Sequence, residues 1–317
     1  MAAEPTSHPQ ASAPAASIAP PLLEIVIVVS DGAREHVRAC LESLRRFPLE
    51  FGPMVVHVVD NASTDGAPEM IRGEYPEVQL HSLPWNAGFC IANNVVLRQA
   101  KARYVLLLNP DTEVTPGALD WMIKLMDSRP DIGMASCRLV QPDGTFDHAA
   151  KRSFPTPLGA LAHFTGVGRR AADSRLSQYR APELDELDSG EVDAVNGAFM
   201  LVRDTALEQV GPLDEGYWLY MDDLDWCYRF KHEGWKVFYD GSVTCIHVKG
   251  GTTVEARRSG RHRGLKHNLA FHRSMGRFYR KFYAGPRPLV DTVIYTAIMG
   301  KFVIAAARST VARKKIL

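Results

Sequence analysis

The sequence predicts an α/β protein built around a mostly parallel β-sheet with helices on both faces. Three short apolar segments rich in branched residues, at 24–29, 55–59 and 104–108, have the composition of strands buried on both faces. Segments 33–46 and 87–101, which lie between them, carry apolar residues at helical spacing. Strands that alternate with helices in this way form βαβ units, and such units build parallel sheets.

The remaining elements follow from the same patterns. A further strand is predicted at 78–83, and Pro116 favours a helix that begins there and continues to about residue 127. Strand-like segments follow at 132–140 and 192–203, then a helix from about residue 222 and two short strands at 236–239 and 242–247. Residues 141–190 are rich in loop-forming residues and give no clear pattern.

Composition limits the class of protein. The chain has 317 residues, of which 46% are hydrophobic and 23% are charged, so its body is neither disordered nor a small disulfide scaffold. Five cysteines without a C-x-x-C pair indicate reduced thiols in a cytosolic chain. The first 22 residues are rich in Ala, Pro and Ser and lack a signal-peptide pattern, which predicts a disordered leader.

Charge is divided unevenly along the chain. Residues 1–255 contain 22 Lys and Arg against 35 Asp and Glu, whereas residues 256–317 contain 15 against one, Asp291. We therefore expect a globular domain at 23–255 and a basic helical tail at 256–317. Such a tail is typical of contact with phosphate groups or an anionic membrane. Packing of the tail against the acidic body is the alternative.

The tail contains an apolar segment at 289–307. As a helix this segment is roughly 28 Å long, close to the ~30 Å of a bilayer core. Near the bilayer centre Asp291 and Lys301 each cost about 2.5–3.5 kcal/mol, whereas about eight large apolar residues return only ~0.3–0.6 kcal/mol each. This balance predicts an amphipathic helix that lies on the membrane rather than spanning it.

Polar residues stand where three of the predicted strands end. Ser30 follows the first strand, Asp60 and Asn61 follow the second, and Asn109-Pro-Asp111 follows the strand at 104–108. In open parallel sheets ligands bind at this edge. Asp60 can accept hydrogen bonds from a base or ribose, and Asp111 suits a hard cation. A turn with a helix N-cap, or a surface turn, also accounts for these residues.

Two weaker signals concern a helix start and a lone histidine. Gly88, in Asn86-Ala-Gly-Phe, permits close approach of the backbone to a ligand, and a helix N-terminus offers free N–H groups to phosphate. An ordinary helix start remains the alternative. His247 ends a predicted strand before Gly250-Gly251, and it is either a structural residue or a metal ligand.

Three carboxylates, at Asp222, Asp223 and Asp225, occupy four residues next to Trp218 and Trp226. Negative charge at a helix start is favourable, but three carboxylates exceed what that purpose needs. Crowded like charges raise one another's pKa, as a general base requires, and aromatic neighbours suit a sugar-sized cleft. Arg229 follows Asp225 by four residues, which is the spacing of an ion pair on one helix face.

Five motifs in this order resemble family 2 glycosyltransferases, and in particular their bacterial rhamnosyltransferase-like branch. They are VVDNASTDG at 58–66, NAGF at 86–89, LLNPDT at 107–112, NGAFMLVR at 196–203 and DDLDWCYR at 222–229. Asn109 stands at the first position of the family's metal-binding Asp-x-Asp, as is usual in this branch. The sequence departs from the pattern in two places, where Val96 replaces a Gly and Asp222 replaces the more usual Glu.

The resemblance implies a GT-A fold, a Rossmann-like mostly parallel sheet, and inverting transfer from a nucleotide-diphosphate sugar with Mg²⁺ or Mn²⁺. It implies that Asp223 is the general base, supported by Asp222, Asp225 and Arg229 on an acidic helix. The implied nucleotide-sugar contacts are Ser30, Asp60, Asn61, Asn86, Gly88, Asn94 and Asn109. The implied sugar and acceptor contacts are Asn196, Gly197 and Trp218, and the implied metal ligands are Asp111 and His247.

The function expected from these observations is transfer of a sugar, L-rhamnose from dTDP-rhamnose, to a glycan or a polyprenyl-diphosphate-linked acceptor of cell-surface polysaccharide. The enzyme is expected in the cytoplasm at the inner face of the membrane, with no nucleic acid as partner. Two other readings stay open, a non-catalytic nucleotide-sugar-binding scaffold and a nucleotidyltransferase. The latter is disfavoured because residues 30–34 are not Gly-rich. A dinucleotide oxidoreductase is disfavoured by the lack of GxGxxG after the first strand.

Overall fold

A mixed nine-stranded β-sheet organises the part of the chain that the computed structural model describes: residues 20–155, 184–248, 265–285 and 287–314, the last without side chains beyond 307. All but the last three residues of the predicted leader, and residues 156–183 of the predicted loop, lie outside the described residues. So does the predicted boundary at residue 255.

The first half of the sheet is parallel, with strand order β3-β2-β1-β4. These strands are β1 (Leu23–Val29), β2 (Met54–Asp60), β3 (Gln79–Ser82) and β4 (Tyr104–Leu108). The helices that connect them are α1 (Arg34–Arg46), α2 (Ala67–Glu74) and α3 (Phe89–Leu97). β1 and β4 are almost wholly buried, as their continuous apolar runs predict.

The second half of the sheet mixes strand directions. β10 lies antiparallel between β4 and β6, β11 runs parallel to β6, and the short β5 and β8 pair antiparallel with β11. A separate ladder joins β7 to β9. The strands are β5 (Thr112–Glu113), β6 (Ile132–Val140), β7 (Lys151–Arg152), β8 (Gly190–Glu191), β9 (Ala194–Val195), β10 (Phe199–Arg203) and β11 (Lys236–His247). The helices here are α4 (Ala118–Ser128), α5 (Asp204–Val210) and α6 (Asp222–His232).

Three predicted elements differ from the observed ones. The two strands expected at 236–239 and 242–247 form one continuous strand, β11, because a register shift between Asp240 and Thr244 keeps it paired with β6. The segment 192–203 is divided by a turn at 196–198 into β9 and β10. The helix expected from residue 87 begins only at Phe89, because Gly88 takes a φ of +88°. All five cysteines are buried and unpaired, as predicted.

The basic tail folds as a helical hairpin, α7 (Leu265–Phe282) and α8 (Pro288–Lys314). The two helices are antiparallel: Tyr279 packs on Tyr295 with ring centroids 5.5 Å apart, and His272 packs on Phe302 at 5.7 Å. Buried Ile294 and Ile298 form the seam against Tyr279.

α7 is fastened to the acidic body by ion pairs. Arg277 lies 2.7 Å from Asp214, and Lys281 lies 2.9 Å from Asp214 and 2.7 Å from Asp225. Packing of the tail on the body, the alternative left open by the sequence, therefore accounts for part of its basic charge.

α8 has an apolar outward face. Over 289–307 its exposed positions are all uncharged, and they include Leu289, Val293 and Val303. By length and composition Pro288–Ala307 is long and apolar enough to cross a membrane, with a mean hydropathy of 1.6. Asp291 and Lys301 lie on the helical stripe of Ile294, which faces α7, and Asp291 accepts a hydrogen bond from the Tyr279 hydroxyl at 2.6 Å.

Candidate active site

A cavity of about 700 Å³ opens at the carboxyl ends of the parallel strands. Ser30, Asn61 and Asn109, which follow β1, β2 and β4, line it together, as expected for an open α/β sheet. Its volume is within the range of sites that bind small molecules and cofactors. The other predicted site residues that line it are Asn86, Gly88, Asp111, Asn196, Gly197, Trp218, Asp222, Asp223 and His247.

The loop before α3 is held in shape by amide side chains. Asn61 accepts a hydrogen bond from the Ala87 N–H at 2.7 Å and donates to the Gly88 carbonyl at 3.2 Å. Gly88 cannot be replaced without strain, because a Cβ there would lie 2.5 Å from both Cδ1 and the carbonyl oxygen of Trp218. The Trp218 carbonyl in turn accepts the Phe89 N–H at 2.9 Å. This close approach joins the loop before α3 to the loop before α6.

Two predicted nucleotide contacts do not line the cavity. Asp60 is buried and accepts the Ser63 N–H at 3.0 Å, so its side chain closes the turn after β2. Asn94 is fully buried and bonds the Leu213 backbone through both ends of its amide, at 2.9 and 3.0 Å, and Glu215 at 3.0 Å. Both residues support neighbouring loops in this structure.

Asp111 and His247 meet at the wall of the cavity. His247 ends β11 and pairs in register with Thr112 of β5, which places its Nε2 3.5 Å from an Asp111 oxygen. The other ring nitrogen, Nδ1, lies 3.0 Å from Oδ2 of the buried Asp147. Burial lowers the pKa of His247, but the carboxylates of Asp111 and Asp147 outweigh it and raise the pKa to about 9.

These residues fit a divalent cation that takes most of its ligands from elsewhere. Among the described residues no three His, Cys, Asp or Glu side chains converge as a complete ligand set. Mg²⁺ and Mn²⁺ commonly use one or two protein carboxylates and complete their shell with substrate phosphates and water. Asp147 behind His247 has the arrangement that orients metal-binding histidines in proteins, with a carboxylate on the ring nitrogen away from the ligand.

Asp222 and Asp223 begin helix α6, directly after two residues with a strained backbone conformation. Tyr220 and Met221 both have positive φ, of 70° and 63°, immediately before Asp222. For residues other than glycine each such conformation costs about 1–3 kcal/mol and persists where the surrounding structure enforces it, which is common at functional sites. Burial and the neighbouring Asp223 carboxylate raise the pKa of Asp222 to about 7.

Asp223 is held from three sides. Arg152 of β7 lies 2.5 Å from its Oδ2, and the Gly197 N–H approaches the same oxygen at 3.4 Å. Its Oδ1 accepts the Leu224 N–H at 2.8 Å. Arg152 is positioned by the β7–β9 ladder and also donates to the Val195 carbonyl at 2.5 Å. The carboxylate therefore has a fixed orientation at the cavity wall.

Asp225 and Arg229 lie behind the cavity rather than on its wall. The predicted ion pair is present at 2.9 Å, and Asp225 is fully buried. Arg229 also donates to the Val210 and Pro212 carbonyls, at 2.9 and 2.8 Å. Together they fix α6 against the preceding loop.

Part of the cavity lining comes from the tail. Lys266, His267 and Phe271 of α7 line the cavity, and the Lys266 ammonium lies 4.3 Å from the centroid of the Trp218 ring. The basic tail thus contributes directly to the candidate site.

Sequence reasoning missed Arg152, Asp147 and Lys266 as site residues. Arg152 reaches Asp223 across 71 residues of sequence and Asp147 reaches His247 across 100, so no local spacing connects either pair. For Lys266 the sequence did offer a signal, because the basic tail indicated contact with phosphate. That signal did not single out one residue.

Comparison with known proteins decides the family. Residues 25–211 match the profile of glycosyl transferase family 2, which is more than half of the chain. The chain belongs to family 2 glycosyltransferases. It is therefore a glycosyltransferase, and the resemblance drawn from the five motifs is confirmed.

Related sequences point to one branch of this family. The chain is 28% identical over 239 residues to the N-acetylglucosaminyl-diphospho-decaprenol L-rhamnosyltransferase of Mycobacterium tuberculosis, covering 72% of this chain and 76% of the relative. It is 24% identical to the rhamnosyltransferase WbbL of Escherichia coli, covering 70% and 82%. The similarity is thus to the rhamnosyltransferase-like branch.

Solved structures support the fold. The mannosyltransferase PcManGT of Pyrobaculum calidifontis, determined with GDP-Man and Mn²⁺, matches with a TM-score of 0.55 at 17% identity, covering 92% of this chain and 74% of that one. GalNAc-T7, determined with UDP, GalNAc and Mn²⁺, matches with a TM-score of 0.53 at 13% identity, covering 72% and 43%. The GT-A fold predicted from the motifs is confirmed.

Proposed function

We propose that this glycosyltransferase moves L-rhamnose from dTDP-rhamnose, with inversion, to a polyprenyl-diphosphate-linked or glycan acceptor during cell-surface polysaccharide synthesis. The observation that carries the proposal is the oriented Asp223 carboxylate at the wall of a cavity that Asp111 and His247 also line. The choice of sugar and acceptor is supported by the similarity to the mycobacterial rhamnosyltransferase over 72% of the chain.

Asp223 acts as the general base in this proposal. It removes the proton from the acceptor hydroxyl, and that oxygen attacks the anomeric carbon from the face opposite the departing diphosphate. Arg152 and the Gly197 N–H hold the carboxylate in place, and both bond Oδ2. An ionised carboxylate offers about four acceptor positions, so these bonds leave capacity for the incoming proton. A positioned base of this kind contributes about 10²–10⁴-fold to rate.

The diphosphate would lie beside Asp111 and His247. These two residues would hold Mg²⁺ or Mn²⁺, with Asp147 fixing the His247 ring. When bound, the cation stabilises the negative charge that develops on the leaving diphosphate. Ser30, Asn61, Asn86 and Gly88 would contact the nucleotide, and Asp60 and Asn94 would support those loops from behind.

The enzyme would work at the inner face of the cytoplasmic membrane, in contact with it through α8. The outward face of α8 is uncharged and apolar, whereas its inner face is packed on α7. α7 in turn is tied to the body through Arg277 and Lys281. A helix that crosses the bilayer would have to leave this seam, so contact of the outward face with the membrane surface preserves more of the packing.

Release of nucleoside diphosphate from a panel of dTDP- and UDP-sugars tests the proposal. Each donor is incubated with a short-chain polyprenyl diphosphate carrying N-acetylglucosamine, in Mg²⁺, in Mn²⁺ and in EDTA. We expect release and sugar transfer with dTDP-rhamnose and a divalent cation only. Transfer from a UDP-sugar in preference to dTDP-rhamnose would contradict the assigned donor, and equal rates in EDTA would contradict the metal site.

A further inference from the structure

Lys266 is placed to receive a second phosphate group in the cavity. It lies on the first turn of α7, lines the cavity, and packs its ammonium 4.3 Å from the Trp218 ring centroid. None of the described carboxylates lies within ion-pair distance of it, whereas Arg152, the other Lys or Arg side chain of the cavity lining, is paired with Asp223. A lysine held only by an aromatic face can turn to a phosphate at small cost, because its charge gains far more from an anion.

The helical hairpin brings an apolar surface to the same end of the molecule. Because α7 and α8 are antiparallel, Phe302 lies level with His272. Lys266 precedes His272 by six residues, so it lies about 9 Å nearer the N-terminal end of α7 at the rise of an α-helix. Val303 and Ile304, 57% and 55% exposed, are on the outward face of α8 near this level. A cation that lines the cavity and an apolar helix face thus lie toward the same end of the helical hairpin, although 37 residues of sequence separate Lys266 from Val303.

We propose that Lys266 binds the diphosphate of a lipid-linked acceptor, whose polyprenyl chain leaves the cavity along the outward face of α8. This inference rests on the proposed function, since it names how that function's acceptor is recognised. The donor diphosphate is assigned to the region of Asp111 and His247, so the cavity holds two anion positions. Lysine is a common phosphate ligand because its ammonium acts as a compact point charge with three donors.

Calorimetric titration of the full-length protein with geranylgeranyl diphosphate tests the proposed role of Lys266 without requiring sugar transfer. The titration is performed with the donor position saturated by dTDP and Mg²⁺. We expect Lys266→Gln to weaken binding about tenfold or more, the effect of removing one charge-assisted hydrogen bond, and Lys266→Arg to retain most of it. Arg280→Gln removes the same charge from an exposed position near the far end of α7 and is the matched control.

Each outcome decides the proposal. Loss of binding in Lys266→Gln alone, with dTDP affinity and melting temperature kept, supports it. Equal binding in Lys266→Gln and the wild type overturns it, since Lys266 then only packs on Trp218. Competition between geranylgeranyl diphosphate and dTDP also overturns it, because Lys266 would then serve the donor. Failure of sugar transfer in the donor panel, with lipid diphosphate still bound through Lys266, would count against the proposed function and not against this site.

Discussion

Arg152 and Asp223 form a salt bridge of 2.5 Å in which the side chains of both partners are largely buried, 9% and 15% exposed. The two residues come from unrelated elements, a two-residue strand and the first turn of a helix. A buried pair of this kind is costly to break, because removal of one partner leaves the other charge unpaired at about 3–5 kcal/mol. Its position at the cavity wall gives it a role in orienting the proposed base as well.

Removal of the Asp223 charge is expected to stop transfer and leave nucleotide binding intact. The Asp223→Asn variant keeps the shape of the side chain but cannot take a proton, so the rate should fall by about 10²–10⁴-fold. Turnover and dTDP affinity are measured side by side, below the melting temperature of the variant, which is expected to be lower than that of the wild type because Arg152 loses its partner. A parallel loss of dTDP binding and turnover would instead assign Asp223 a structural role.

Arg152 is expected to act through Asp223. Arg152→Gln should lower kcat about 10–100-fold with little change in donor KM, because the carboxylate loses its orientation while the nucleotide loops are untouched. Arg152→Lys retains the charge and should recover part of kcat. The pH–rate profiles of the three proteins distinguish this role from a purely structural one, which would leave the profile of the folded variant unchanged.

Gly88 is expected to be intolerant of any side chain. In Gly88→Ala the new Cβ would lie 2.5 Å from two Trp218 atoms, in addition to the strain of a φ of +88°. Gly234 has nearly the same φ, +87°, with open space around it, so Gly234→Ala isolates the backbone strain of about 1–2 kcal/mol. Chemical denaturation should show a larger loss for Gly88→Ala, together with weakened dTDP binding. Equal losses would mean that Trp218 moves aside freely.

His81, on the edge strand β3, is expected to reduce the stability of the folded state as the pH falls, because it packs on the buried His57. His57 lies 3.2 Å from the His81 ring nitrogen and 3.3 Å from Glu24. Burial and the His57 charge lower the pKa of His81 below its ordinary 6.5. The unfolded chain therefore takes up a proton on His81 before the folded chain does, and this group costs the folded state stability as the pH falls below about 6.5. The raised pKa values of Asp222 and His247 act in the opposite direction, so the effect of His81 is measured as a difference between variants.

Glu24 also contributes stability that is lost as the pH falls, but at lower pH than His81. Burial raises its pKa, but bonds from His57 and from the Lys101 and Ala102 N–H groups outweigh burial and lower it below 4.5. Urea unfolding is measured at pH 7.5 and pH 5.5, in EDTA. The change in the free energy of unfolding on lowering the pH should favour the folded state more in His81→Gln than in the wild type. His232→Gln, at an exposed histidine, is the control. The same pH dependence in His81→Gln and in the wild type would exclude a contribution from His81.

Membrane contact is expected to depend on the outward face of α8. The double variant Val293→Asp, Val303→Asp places charge on side chains that are 49% and 57% exposed, so it should abolish sedimentation with anionic liposomes without loosening the hairpin. Deletion of residues 286–317 should have the same effect. Gln99→Asp with Ser128→Asp adds equal charge to exposed positions of the body as a control. Undiminished sedimentation of the Val293, Val303 variant would exclude this face as the contact.

The sequence was sufficient for the elements whose signals are local. β1 and β4 are continuous apolar runs and were predicted to within one residue, and the strand-end residues Ser30, Asn61 and Asn109 meet in one cavity because parallel strands end at one edge. β11 was predicted as two strands because Asp240-Gly-Ser resembles a turn. Pairing with β6 overrides that local preference.

The five motifs in the sequence determined the family, the fold and about half of the cavity lining, because each motif is a short segment at a strand or helix end. The tertiary structure alone decided how these parts are oriented. It brought Arg152 to Asp223 and Asp147 to His247, and it turned Asp291 and Lys301 of α8 toward α7. These contacts join residues far apart in sequence or on packed helix faces, and their free energy depends on burial and distance, which no local pattern of residues contains.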